Sequence, residues 1–367
     1  MKYLDEFRNS EVARALVESL RRRTARPVSL MEVCGTHTVS IFKHGLRGLL
    51  PENVTMLSGP GCPVCVTPNA EIDKAIALAR MPQVILTTFG DMMKVPGSYA
   101  SLNQAKAEGA DVRVVYSALD ALKIARNNLE RSVVFFGVGF ETTAPTTAAS
   151  ILEAQRMGLG NFFFLSVHKV VPPAMKALLD SGEVRIDGFL CPGHVSTIIG
   201  SAPYEFIAQQ YGIPCVIGGF EPLDILQALD MLLAQIVAGE ARVEVQYRRA
   251  VHREGNPVAL KHMNSVFEAA DAVWRGLGTI PGSGLRLRPQ FKAIDAGSAF
   301  KVTTRPPKEA KGCRCGDVLR GAIRPADCSL FGRACIPEHP IGPCMVSSEG
   351  TCSAWYLYGG EREPRED

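Results

Sequence analysis

The chain has 367 residues, 46% of them hydrophobic and 21% charged, with 40 Lys and Arg against 37 Asp and Glu. This composition is that of a globular protein with room for sizeable cores, and a net charge of +3 without long single-sign runs gives no reason to expect nucleic acid as a partner. The longest apolar stretches, such as Val133 to Phe140, fall far short of the ~20 residues a membrane helix needs, so no membrane partner is expected.

The opening residues place Leu4, Phe7, Val12, Leu16 and Leu20 at helical spacing and end in Arg21-Arg22-Arg23, which suits the negative end of a helix dipole. An amphipathic helix is predicted over residues 1–23. Asp5 and Glu6 stand where a signal peptide would need its apolar core, which points to the cytoplasm. Short β-rich runs then alternate with helix-length segments: Val28 to Val33, Val54 to Leu57, Val84 to Phe89 and Val112 to Tyr116. A second set keeps the rhythm, with Val133 to Val138, Phe162 to Val167, Gly188 to Leu190 and Cys215 to Ile217, interleaved with helical patterns at Ala144 to Arg156 and Pro173 to Leu179. Such alternation is the signature of parallel sheets covered on both faces. The expected fold class is α/β, with two parallel-sheet lobes, residues 24–130 and 131–240, facing a central cleft. The chain reads as helical from Asp224 to about Gly239, and residues 241–367 as helical or irregular. Within them Gly276 to Lys311, rich in Gly and Pro, looks like a connection with few packing residues, leading into a Cys-rich tail.

The residues with chemistry gather just past the carboxyl ends of the predicted strands, where open parallel sheets place their ligand sites. Cys34 and His37 follow the first strand, and Cys62-Pro63-Val64-Cys65 follows the second. Asp91, Glu141, His168-Lys169, His194 and Glu221 follow others. A Cys and a His three apart can reach one soft or borderline metal centre. A Cys-x-x-Cys pair forms a disulfide or shares a metal. The carboxylates and His194 could act as acids and bases or orient ligands. Eleven cysteines in a reducing compartment argue for metal or redox chemistry rather than structural disulfides. Six of them, Cys313, Cys315, Cys328, Cys335, Cys344 and Cys352, crowd the tail. Their spacing matches neither a zinc ribbon nor a compact ferredoxin run. Six thiols suit one 4Fe–4S cluster with four ligands plus a dithiol, with Cys313 and Cys315 divided between those roles; a four-Cys zinc site with two spare thiols is the alternative.

Met31-Glu32-Val33-Cys34-Gly35-Thr36-His37-Thr38, Gly59-Pro60-Gly61-Cys62-Pro63-Val64-Cys65-Val66-Thr67-Pro68, Gly139-Phe140-Glu141-Thr142-Thr143-Ala144-Pro145, Pro192-Gly193-His194-Val195-Ser196 and the tail together resemble the HypD family of nickel–iron hydrogenase maturation factors. The resemblance covers essentially the whole chain. It implies a redox-active scaffold rather than a conventional turnover enzyme. With a HypC-type chaperone, such a protein holds Fe(II) as transient cargo while it acquires two cyanides and one carbon monoxide, the cyanide coming from a HypE-type donor. By the same resemblance Cys34 and His37 hold the iron and Cys62 and Cys65 are redox-active. Cys313, Cys328, Cys335 and Cys352 then ligate the cluster, while Cys315 and Cys344 form the neighbouring dithiol. Ile336 stands where the family leads one to expect Thr. The competing reading is a stand-alone iron–sulfur thiol/disulfide oxidoreductase, which would leave Cys34 and His37 without a metal.

Overall fold

The computed structural model describes residues 9–23 and 26–359. The opening helix runs Ser10–Arg23 and buries Val17 and Leu20; the expected helical positions Leu4 and Phe7 lie outside the described residues. Eleven strands are present among the described residues: β1 Val28–Glu32, β2 Val54–Ser58, β3 Val84–Thr88, β4 Val112–Val114, β5 Ser132–Gly139, β6 Phe162–His168, β7 Gly188–Cys191, β8 Cys215–Ile217, β9 Val243–Val245, β10 Phe267–Trp274 and β11 Gly278–Leu287. The first eight fall within two residues of the expected runs. Burial is complete along the interior strands β3, β7 and β8, as a strand covered by helices on both faces requires, and is partial along the edge strands β2 and β4. None of the described helices is long and apolar enough to cross a membrane.

The first nine strands form two all-parallel sheets, as the α/β reading requires, but they are not shared out by halves of the chain. One sheet has the order β2-β1-β7-β8-β9 and the other β4-β3-β5-β6. The expected grouping of strands into residues 24–130 and 131–240 is therefore corrected: β3 and β4 join β5 and β6, while β1 pairs with β7, Leu30 opposite Gly188. The four-stranded unit is inserted between β2 and β7 of the five-stranded one. A parallel pair is closed by a long crossover, so local sequence identifies a strand without identifying its neighbour.

The reading of Gly276 to Lys311 as a connection is also corrected. β10 and β11 form an antiparallel hairpin with a bulge between Ala270 and Ala272. β11 lies beside β6, where the Ser166 hydroxyl donates to the Leu285 carbonyl at 2.6 Å and the Val170 amide to Ser283 at 2.9 Å. Trp274 is buried at the hairpin end and its indole N–H donates to the Ser283 hydroxyl at 2.8 Å. Gly276 has a φ of +80° and packs so closely on Gly316 that a Cβ would stand 2.4 Å from that Cα. Glycine at 276 thus lets the hairpin tip approach the tail.

Candidate metal and redox site

In the five-stranded sheet the chain departs in opposite directions from β1 and β7, and ligand sites of open α/β sheets form at such a switch point. Four loops meet there. Cys34 caps the Gly35–Lys43 helix after β1, and the Gly59–Cys65 loop follows β2. Pro192-Gly193-His194 follows β7, and Gly218-Gly219-Phe220 follows β8. Gly61 is held against Cys34 so tightly that a Cβ would fall 2.3 Å from the Cys34 nitrogen, and the Gly35 amide donates to the Gly61 carbonyl at 3.0 Å. Glycine at this position lets the two Cys-bearing loops touch.

His37 is fully buried. Its Nε2 lies 2.9 Å from the Gly219 carbonyl and 3.2 Å from that of Gly218, both of which only accept, so Nε2 carries the proton. Nδ1 is buried and has no hydrogen-bond partner among the described residues. Burial pushes the imidazole down to about 4, which keeps it neutral. Phe220 lies between two imidazoles, 4.7 Å from the ring centre of His37 and 4.0 Å from that of His194. His194 is exposed to solvent on its outer side, and the burial it has against Phe220 lowers its value.

Burial pushes the Cys34 thiol up to about 12, with the Glu349 and Glu32 carboxylates adding to the rise and the Thr36 and His37 amides opposing it. These amides lie near the sulfur at the helix start without making a full capping bond. Glu32 accepts from the Cys34 amide at 3.0 Å and from the Thr38 hydroxyl at 2.5 Å, and burial lifts it to about 7. Glu349 reaches in from the tail, accepting from the Thr36 hydroxyl at 2.8 Å. Neither acid was singled out from sequence. Glu32 could have been, as a charge closing the otherwise uncharged strand Val28–Glu32; Glu349 has no local signal.

Cys62 and Cys65 are joined by a disulfide and buried. The Cys65 sulfur lies 4.0 Å from the Pro343 carbonyl, next to Cys344, so the pair adjoins the tail. All six tail cysteines line one small cavity, shared with Val318, Leu330, Phe331 and Met345. Gly342 borders it, and a Cβ there would stand 2.6 Å from the Cys313 sulfur. The Cys315 thiol donates to Cys313 and pulls it down to about 6, and Cys352 likewise lowers Cys344. Each contact joins one expected cluster ligand to one expected dithiol member. Among the described residues no group of three or more His, Cys, Asp or Glu is spaced for a single metal ion. Six thiols lining one apolar cavity, two of them biased toward thiolate, are a donor set that fits an iron–sulfur cluster, whose ligands sit on separate irons.

The remaining candidates lie elsewhere. Asp91, beyond β3, accepts from the Ser347 hydroxyl at 3.1 Å and so anchors the tail. Glu141, beyond β5, is buried and accepts from the Val171 amide at 2.9 Å. His168 bonds Thr143 at 3.1 Å, and Lys169 donates to the Val273 carbonyl at 2.7 Å beneath the hairpin. Cys191 and Cys215, scattered in sequence, are hydrogen-bonded thiols buried on neighbouring strands.

Burial raises Glu141 from 4.5 to about 7. A carboxyl with a raised folded value keeps its proton in the folded chain after the unfolded chain has lost it. Its stabilising contribution is thus full below about 4.5 and is lost as pH rises through about 7. Glu141→Gln, which keeps an acceptor for Val171, is expected to match the parent at about pH 4 and exceed it by roughly 3 kcal/mol at about pH 8, read by urea denaturation at both pH values.

A family model described as HypD, hydrogenase formation hypA family, matches residues 11–359. The chain belongs to the HypD family. It is 49% identical to the hydrogenase maturation factor HypD of Rhodobacter capsulatus, with 99% of each chain covered. It is 48% identical to that of Escherichia coli K12, with 98% of each covered. It is 51% identical to the hydrogenase expression/formation protein HupD of Azotobacter chroococcum, over 99% of this chain and 98% of the relative.

Proposed function

We propose that this HypD-family chain is a cytoplasmic scaffold on which, together with a HypC-type chaperone and a HypE-type cyanide donor, the Fe(CN)2CO group of nickel–iron hydrogenases is assembled. The observation that carries this reading is the buried Cys34–His37 pair at the sheet switch point, with one imidazole nitrogen left bare. The substrate iron is held by the Cys34 sulfur and His37 Nδ1, which leaves its remaining positions to diatomic ligands and to a partner's donor. Binding displaces the Cys34 proton, because only the thiolate is a good ligand. Phe220, packed on the His37 ring and covered in turn by His194, is the apolar wall of the site.

Cys313, Cys328, Cys335 and Cys352 would hold a 4Fe–4S cluster, which supplies electrons one at a time. Cys315 and Cys344 act as a dithiol on the Cys62–Cys65 disulfide. A thiolate attacks one sulfur and forms a mixed disulfide; the second thiolate then resolves it. Cys62 and Cys65 leave as thiols with two protons, and Cys315 and Cys344 become the disulfide. The proximity of Cys65 to the Cys344 helix supports this order. A stand-alone thiol oxidoreductase would use the same tail but gives the Cys34–His37 pair no role.

Cys315→Ala and Cys344→Ala, expressed in cells lacking their own copy, are each expected to reduce hydrogenase maturation by about 100-fold or more while leaving the iron content of the tail near four per chain. Undiminished maturation in both variants would remove the dithiol from the account.

A further inference from the structure

The bare nitrogen of His37 is set by residues far from the iron-holding pair in sequence. An imidazole flanked only by the helix it grows from could carry its proton on either nitrogen, and a metal could then meet an N–H instead of a lone pair. Here the Gly218 and Gly219 carbonyls take the Nε2 proton. These carbonyls belong to a loop that has little to hold it through its own side chains, since two glycines follow β8. Glycine is needed there: a Cβ on Gly219 would stand 2.3 Å from an Asp224 carboxylate oxygen and 2.8 Å from the Tyr247 ring.

The loop is fastened from the segment after β9. The Gln246 side-chain carbonyl accepts from the Gly219 amide at 3.0 Å, and its NH2 group donates to Asp224 and to the Gln227 carbonyl oxygen, both at 2.9 Å. Asp224 is fully buried and is also held by Arg249, which donates to both carboxylate oxygens. The Gln246 amide donates to Ile217 at 2.9 Å, so the clamp is itself tied to the end of β8. Hydrogen-bonded partners outside a ligating histidine fix its tautomer and ring orientation in metal sites generally. In this chain the partners are two successive backbone carbonyls; the Gly219 amide that Gln246 holds shares a peptide unit with the Gly218 carbonyl, so Gln246 fixes that acceptor directly and the adjoining Gly219 carbonyl through the intervening Cα.

We propose that Gln246 is a positioning residue: by clamping the Gly219 peptide it commits His37 to the Nε2–H tautomer and presents Nδ1 as the nitrogen open to a metal. The use of that nitrogen rests on the functional reading above, whereas the tautomer and its control by Gln246 can be measured without iron at the site.

The test is long-range proton–nitrogen correlation on protein labelled with nitrogen-15 histidine, purified with its tail metal in place and without partners. His37 is assigned by comparison with His37→Gln. The wild-type protein is expected to show a neutral His37 with its proton on Nε2. In Gln246→Leu, exchange of the Gly219 amide should accelerate and the ratio of the two tautomers should move about tenfold toward unity, the effect of weakening one hydrogen bond. A wild-type proton on Nδ1 would overturn the proposal whatever the variant does. So would an unchanged Nε2–H tautomer in a Gln246→Leu protein whose Gly219 amide exchanges faster, since the clamp would then be released without consequence for His37. If the tautomer behaves as expected yet the HypC-type complex carries no iron at Cys34, the scaffold reading fails and the role of Gln246 stands.

Discussion

Cys34→Ala is expected to abolish the chain's contribution to hydrogenase maturation, to below about one hundredth of the parent, while the fold persists. Removing partners that merely orient metal ligands costs about 10–100-fold in affinity or activity, and Cys34 supplies one of only two side-chain donors on the first turn of its helix. The structural cost should be small. Cys34 caps the helix without a side-chain hydrogen bond, and its backbone is fixed by the Glu32 carboxylate and the Gly61 loop. The change removes one sulfur, and alanine keeps the extended backbone that the position needs. The measurement is hydrogenase activity in cells lacking their own copy, alongside the thermal midpoint of the purified variant. A variant that matures hydrogenase at more than a tenth of the parent level would show that the iron is held elsewhere.

Stripping metal from the tail with a chelator under reducing conditions is expected to loosen residues 312–359 and spare the sheets. This stretch contains only short helical elements, among them Cys315–Leu319, Pro343–Val346 and Thr351–Tyr358. It is interrupted by Gly and Pro, and although Val318, Leu319 and Met345 join the core of Phe140 and Trp274, its six thiols face a shared cavity instead of packing as apolar side chains. Metal binding by such segments is folding free energy, because the unfolded chain has no preformed site. Hydrogen exchange should show amides of 312–359 at least about tenfold less protected after stripping, equivalent to about 1.4 kcal/mol, with β1 to β8 unchanged. Equal protection with and without metal would mean that packing alone holds the tail. The loosened tail would also withdraw Glu349 from Thr36, so the loss should spread to the Gly35–Lys43 helix.

The strands were readable because β-branched and aromatic runs such as Val84–Thr88 and Ser132–Gly139 are buried on both faces and bounded by turns. Their partners were not readable. The pairing of Leu30 with Gly188 is decided by which helices cover which face over a long crossover, and no residue of either strand records it. The regrouping moves Asp91, read in one lobe with Cys34, to the other sheet, whereas Glu141 was read in a different lobe from Cys34 and lies on a different sheet. Both do follow strand ends, but of the four-stranded sheet, where Asp91 meets the tail and Glu141 an interior amide. The hairpin was hidden for a different reason, since Gly278, Pro281, Gly282 and Gly284 erase the alternation that marks a strand.

Cys34, His37, the Cys62–Cys65 pair and His194 were legible as chemical residues at strand ends, and three loops of one sheet bring them together. The groups that tune them were not. Glu349 approaches from the tail, and the Gly218 and Gly219 carbonyls are backbone atoms that every sequence contains. The six tail thiols were visible as a cluster, but their contacts, Cys313 with Cys315 and Cys344 with Cys352, depend on how an irregular segment folds around its own cavity.

The most direct test of the scaffold account is the infrared spectrum, with Mössbauer iron speciation, of the chain purified anaerobically with a HypC-type partner from maturation-competent cells. The account predicts cyanide and carbonyl stretching bands and one low-spin Fe(II) beyond the cluster irons, all lost in Cys34→Ala with the cluster retained. A complex that carries cluster iron without those bands, from cells that mature hydrogenase normally, would contradict it.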